Sequence, residues 1–111
     1  RVRGMDVYEA LADPTRRQIV AMLASGERSA GDIAGRFEIA GPSVSRHLKV
    51  LRESGMIAFR QEATSRIYRL EPQSLSEARQ WMDAVLDAAK ARFDRLGAHL
   101  EAMKAREEAG G

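Results

Sequence analysis

The chain contains no cysteine. Disulfides, thiolate metal ligands and thiol redox switches are therefore excluded from it. Histidine is nearly as scarce, with only His47 and His99, far apart in sequence. Aromatic residues make up 5% and include a single tryptophan. No apolar run approaches the length that crosses a bilayer, and no secretory hydrophobic segment opens the chain, so a soluble cytoplasmic protein without membrane contact is expected. The polar residues form no set of nucleophile, base and orienting group. There is also no glycine-rich phosphate loop and no metal-ligand cluster, so neither an enzyme nor a bound cofactor is expected.

What is present is 111 residues with 44% apolar side chains, enough for one modest core, and one domain is expected to span 1–111. Met5 reads as a candidate start, with Arg1 to Gly4 an extension ahead of it. The net charge is only +2, but it is unevenly placed. Residues 1–70 hold 12 Lys and Arg against 8 Asp and Glu, while residues 71–111 hold 6 against 8. Between Ser43 and Arg69 the balance is 6 basic to 2 acidic, the concentration expected where phosphates are approached.

Met5 to Ala12 has a helical spacing of Val7, Tyr8 and Leu11 and stops at Asp13-Pro14. Asp13 suits an N-cap and Pro14 the first helical position, ahead of Ile19, Val20, Met22 and Leu23 at helical spacing. Ser25-Gly26 ends that helix, Glu27-Arg28 reads as extended, and Ser29 caps a third helix with Ile33, Ala34 and Phe37 as core residues. Ile39-Ala40-Gly41-Pro42 is a turn. The following segment, 42–54, spaces Val44, Leu48 and Leu51 along one face and puts Ser43, Ser45, Arg46, Lys49 and Arg52 on the rest, before Gly55 closes it.

From Ile57 the pattern becomes strand-like. Ile57 to Glu62 and Arg66 to Leu70 form a hairpin around a polar tip at Ala63-Thr64-Ser65, with Phe59, Tyr68 and Leu70 facing inward. After Glu71-Pro72 a helix over 74–108 carries Leu75, Ala78, Met82, Val85, Ala89, Phe93, Leu96, Leu100 and Met103 on one stripe. The consecutive four-residue steps at Val85, Ala89 and Phe93 are a stutter, which disfavours a long supercoil but allows a short helix-to-helix seam. A stripe this long exceeds what a 70-residue head covers, so a two-fold dimer is expected to bury Leu75, Met82, Val85, Leu86, Ala89 and Phe93, joined by Val7, Tyr8 and Leu11. Membrane-surface binding is the rival, but the polar face is mixed in sign rather than Lys-rich.

The order of elements implies a mainly α fold with a small β-hairpin (α+β): a winged helix-turn-helix, with a core over 5–70, a wing over 57–70 and a long C-terminal dimerisation helix. In such folds the helix after the turn enters the major groove and the wing reaches adjacent backbone.

Three strings carry a family likeness: Leu11-Ala12-Asp13-Pro14-Thr15-Arg16-Arg17 with Ile19-Val20; Ser45-Arg46-His47-Leu48-Lys49-Val50-Leu51-Arg52-Glu53-Ser54-Gly55-Met56-Ile57; and Tyr68-Arg69-Leu70. In combination and spacing they closely resemble the ArsR/SmtB family of bacterial repressors, over about residues 5 to 95. The resemblance implies a homodimeric transcriptional repressor that docks on an inverted-repeat operator in double-stranded DNA. The metal-sensing members carry a Cys-x-Cys motif at the third helix, where this chain has Ser29 and Gly31, and an alternative site on the last helix, where it offers only His99. The chain is thus closer to the non-metal-sensing, autorepressor-like branch, and the effector, if one exists, stays open.

The DNA contacts expected on this basis are Ser43, Ser45, Arg46 and Lys49, with Arg46 foremost because a guanidinium pairs bidentately with guanine. His47 packs or meets a phosphate, and Arg52 contacts DNA or holds the helix in place. Thr15, Arg16 and Arg17 open a helix whose amide end favours phosphate, and Arg60, Thr64, Ser65 and Arg66 are backbone contacts from the wing. A reading from another class remains: a winged-helix protein-interaction module whose long helix recruits a partner without specific DNA binding.

Overall fold

The computed structural model describes residues 6–110; the candidate start Met5 lies outside them. Helix α1 (Val7–Leu11) begins at a capping box, in which Asp6 accepts from the Glu9 backbone N–H and Glu9 accepts from that of Asp6. Helix α2 (Pro14–Ala24) starts as its sequence demands. Asp13 accepts from the backbone N–H groups of Thr15 and Arg16 at 2.8 and 3.1 Å, and Pro14 takes the first position, where no N–H is missed. Burial pushes the Asp13 carboxyl up. The backbone bonds from Arg16 and Thr15, with the charges of His47 and Arg16, outweigh that and hold it below its ordinary value.

After Ser25 the chain runs through strand β1 (Arg28–Ser29) directly into helix α3 (Ala30–Ala34), which Ser29 caps through the Asp32 N–H. Helix α3 is shorter than its apolar spacing suggests: Phe37 lies beyond its end but still packs on the core. Helix α4 (Gly41–Glu53) follows, then strands β2 (Ile57–Glu62) and β3 (Ser65–Leu70), then helix α5 (Pro72–Gly110).

Gly55 closes α4 in a Schellman arrangement. Its N–H donates to the Arg52 carbonyl, the Met56 N–H donates to the Leu51 carbonyl, and Gly55 itself sits at φ +84°. A Cβ there would be strained and would also meet Ser74 Oγ at 3.1 Å. Met56 and Ile57, just past the turn, are buried and anchor the base of the hairpin.

The sheet has three strands in the order β1-β3-β2, all antiparallel. The hairpin turns through Ala63 and Thr64, with Ser65 already paired to Glu62, and Ala63 takes the left-handed region at φ +54°. The sequence reading treated the wing as a two-stranded hairpin, whereas β1 adds a third strand by pairing Arg28 with Tyr68 and Ser29 with Ile67. The core gathers Ile19, Val20 and Leu23 of α2, Ile33 of α3, Val44, Leu48 and Leu51 of α4, and Met56, Ile57 and Tyr68.

The chain divides into two compact units, Arg1–Ala78 and Arg79–Gly111. Within the first, Val7, Leu11 and Leu75 pack against the core of their own unit, while Tyr8 is 47% exposed. Within the second, Trp81, Val85, Leu86, Phe93, Leu96 and Leu100 are all exposed, and Leu86 and Phe93 reach 65% and 71%. Among the described residues no helix is long and apolar enough to cross a membrane.

Candidate nucleic-acid interface

Helix α4 has three faces, set by 3.6 residues per turn. Val44, Leu48 and Leu51 face the core and are buried. On one flank Ser43 and His47 are half-buried, and on the other Ser45 and Arg52 stand beside the wing; Arg46 and Lys49 lie opposite the core and are exposed. The α4 side chains standing furthest from the core are therefore those of Arg46 and Lys49, with the serines at their sides. No side chain caps the start of α4, where Ala40 is the N-cap.

The Asp13-Pro14-Thr15-Arg16-Arg17 string resolves into a joint between helices. Arg16 Nε donates to the Ala10 carbonyl at 2.7 Å and its Nη2 to the Glu9 carbonyl at 3.2 Å, while Nη1 lies 3.3 Å from His47 Nδ1. Arg17 Nη1 donates to the Leu11 carbonyl at 2.7 Å. These carbonyls belong to the last turn of α1, where helix geometry leaves acceptors short of N–H donors and only the Glu9 carbonyl also accepts from the Ala12 cap. Both arginines, expected at phosphates, hold the end of α1. His47 is held at α2 through Arg16 and so joins α4 to α2.

The wing arginines part company in the same way. Arg60 bridges Glu27 at 2.6 Å and Glu62 at 3.0 Å, and these two partners, Glu27 first, raise its pKa above the ordinary arginine value. The cation expected to meet DNA backbone at position 60 is thus neutralised within the fold. Arg69 is likewise paired, with Glu71 at 2.8 Å. Arg66 has no acidic partner among the described residues; its guanidinium lies over the Phe59 ring at 4.4 Å from the centroid. Arg52 of α4 meets the same ring at 5.1 Å. Thr64 and Ser65 are exposed at the tip.

Sequence reasoning missed the role of Phe59, which it assigned only to the interior. It also missed Arg28, which lies opposite Tyr68 in register and whose Nε is buried without a hydrogen-bond partner. The alternation of β3 put Arg66 and Tyr68 on one face, but the cross-strand partners needed the register. Among the described residues no three His, Asp or Glu side chains gather as a metal site would require.

The description "bacterial regulatory protein, arsR family" matches residues 13–58, from the Asp13 cap to the base of the hairpin. Over 77 residues the chain is 38% identical to the transcriptional repressor SdpR of Bacillus subtilis, covering 69% of this chain and 86% of that one. It is 41% identical over 89 residues to an HTH-type transcriptional regulator of Mycobacterium tuberculosis, covering 80% and 83% of the two chains. Among solved structures, a possible transcriptional regulator for arsenical resistance superposes with a TM-score of 0.68 at 38% identity, over 73% of this chain and 84% of that one. With α2, α3 and α4 inside the matched segment and relatives of 38% and 41% identity along most of its length, the chain belongs to the ArsR family and is a DNA-binding transcriptional regulator.

Proposed function

We propose that the protein is a homodimeric repressor that binds an inverted-repeat operator and acts in the cytoplasm, within the non-metal-sensing, autorepressor-like part of its family. The observation that carries this reading is selective neutralisation. Arg60 and Arg69 are ion-paired, and Arg16 and Arg17 bond α1 carbonyls. Arg46, Lys49, Arg52 and Arg66, on α4 and the wing, take part in none of the ion pairs found among the described residues, so α4 and the adjoining part of the wing keep their positive charge.

In this reading Arg46 and Lys49, flanked by Ser43 and Ser45, meet base edges and nearby phosphates in the major groove, and Thr64, Ser65 and Arg66 follow the adjoining backbone. Thr15 remains a backbone candidate through its hydroxyl, since Asp13 already takes its backbone N–H. The exposed apolar residues of Arg79–Gly111, with Tyr8, supply the surface that a second copy covers. Two copies related by a two-fold axis present two α4 helices to two half-sites, which is why the target is an inverted repeat.

The test is equilibrium binding of the full chain to the DNA upstream of its own gene, with a shuffled duplex as control, at fixed salt. Preference for the upstream duplex by a hundredfold or more is expected. Equal, weak binding to both duplexes would overturn the repressor reading in favour of a protein-interaction module.

A further inference from the structure

Between α4 and β3 lies a cleft of about 280 Å³, bordered by Ser45, Lys49 and Arg52 of the helix and by Arg66 and Tyr68 of the wing. Three of these five are cations, and none of the three takes part in an ion pair found among the described residues. Their neighbours elsewhere in the wing are ion-paired. The gathering is held in place by an aromatic ring: the guanidiniums of Arg52 and Arg66 both lie on Phe59, at 5.1 and 4.4 Å from its centroid. Phe59 in turn packs on Tyr68 with ring centroids 5.5 Å apart, and Phe59, Tyr68 and Arg28 stand side by side across the three strands.

Like charges drawn to one ring repel each other, and a cation on an exposed aromatic face gains only ~0.5–1 kcal/mol in return. An oxyanion in the cleft turns that repulsion into attraction. Guanidinium forks match the geometry of phosphate oxygens, and the ring holds both forks in advance, so little side-chain freedom is lost on binding.

We propose that this cleft is a site for one phosphodiester of the DNA backbone, gripped jointly by Lys49 and Arg52 of the recognition helix and Arg66 of the wing, with Phe59 as the positioning residue for both arginines. The proposal rests on the DNA-binding reading above and deepens it. One phosphate held from two elements fixes the register of the helix against the wing's strand of contacts.

The test uses the full chain and a duplex selected from random sequence. Each phosphodiester is replaced singly by an uncharged methylphosphonate, and affinities are measured for the wild type, R52Q, R66Q, F59L and F59W, with thermal melting to confirm that each variant folds. One position is expected at which neutralisation weakens the wild type about tenfold, the order of one charge-assisted contact. Both R52Q and R66Q should be less sensitive than the wild type at that same position and at no other, and neither should flatten the slope of log affinity against log salt by more than ~0.9, the share of one phosphate. F59L should lose the same contact and F59W should regain it. Because Arg66 is exposed, R66Q reports even if R52Q fails to fold.

If R52Q and R66Q map to different phosphates, or to none, the shared site is overturned while the regulatory reading stands. If inorganic phosphate perturbs the Arg52 and Arg66 side-chain resonances and no duplex position is shared, the cleft takes a free anion and the backbone assignment is overturned. A wild type that binds no duplex at all takes the regulatory reading and this site down together.

Discussion

In the unit Arg1–Ala78, Ile19, Ile33 and Leu51 are fully enclosed, whereas in Arg79–Gly111 side chains of similar chemistry, Leu86 and Phe93, stand 65% and 71% exposed. The first unit closes its own core from helices and a sheet that supply residues to one another. The second is helix with its apolar stripe uncovered, and most helical stability in proteins comes from packing such a face rather than from local propensity. The difference teaches that equal hydrophobicity in sequence serves two ends: enclosure within a chain, and an offer to another chain. In the dimer proposed above it also divides the consequences of mutation, damage in one unit being expected to show as unfolding and in the other as dissociation.

That division is open to direct attack. Leu51→Ala should give the largest effect, a loss of ~2–5 kcal/mol in urea unfolding at fixed protein concentration, because Leu51 is wholly enclosed. A loss below ~1 kcal/mol would mean that the core of the first unit is far more forgiving than its burial implies. Next, the double change Val85→Glu and Leu86→Glu should raise the dimer dissociation constant a hundredfold or more, about 3 kcal/mol, while circular dichroism of the first unit's melt stays in place. Sedimentation that still finds dimers would put the seam elsewhere.

Arg46→Ala should leave both units intact and weaken specific DNA binding by ~1–3 kcal/mol. Unchanged affinity at fixed salt would remove Arg46 from the base-reading set. The smallest effect is at Asp13: Asp13→Ala should lower stability at neutral pH by ~1 kcal/mol through loss of the α2 cap. The Asp13 carboxyl titrates below its ordinary value in the folded chain. Its stabilisation is therefore present above the unfolded pKa near ~3.9 and is lost as pH falls through the lower folded value. The stability difference between wild type and Asp13→Ala should accordingly narrow across that acid window, and a difference that stayed constant with pH would show that the charge of Asp13 plays no part in capping.

The parts of this fold that were legible in advance are those made by near neighbours. Asp13 with Pro14, Ser29 before α3, and Gly55 after α4 each act through hydrogen bonds spanning a few residues, so residue type and position suffice to read them. What was not legible depends on partners far along the chain. Arg16 meets His47 across 31 residues and Arg60 meets Glu27 across 33, so basic residues that looked available for phosphate already had internal partners. The third strand escaped notice for the same reason: Arg28-Ser29 is too short to read as a strand until Tyr68 and Ile67 are known to lie beside it. Within the candidate site, the face of α4 could be drawn from its period alone. The ring of Phe59 between Arg52 and Arg66 could not, because it requires the hairpin's position against the helix.

The Gly55 turn carries one more consequence. Its two backbone bonds and the burial of Met56 in the core tie the step from α4 to β2 at both ends, which restrains helix α4 and the wing against each other before any partner arrives. A protein so prepared loses little conformational entropy at the moment of binding. Its encounter with DNA should therefore be close to rigid docking, with an association rate set by electrostatic steering rather than by any folding step, and hence falling steeply as salt is added.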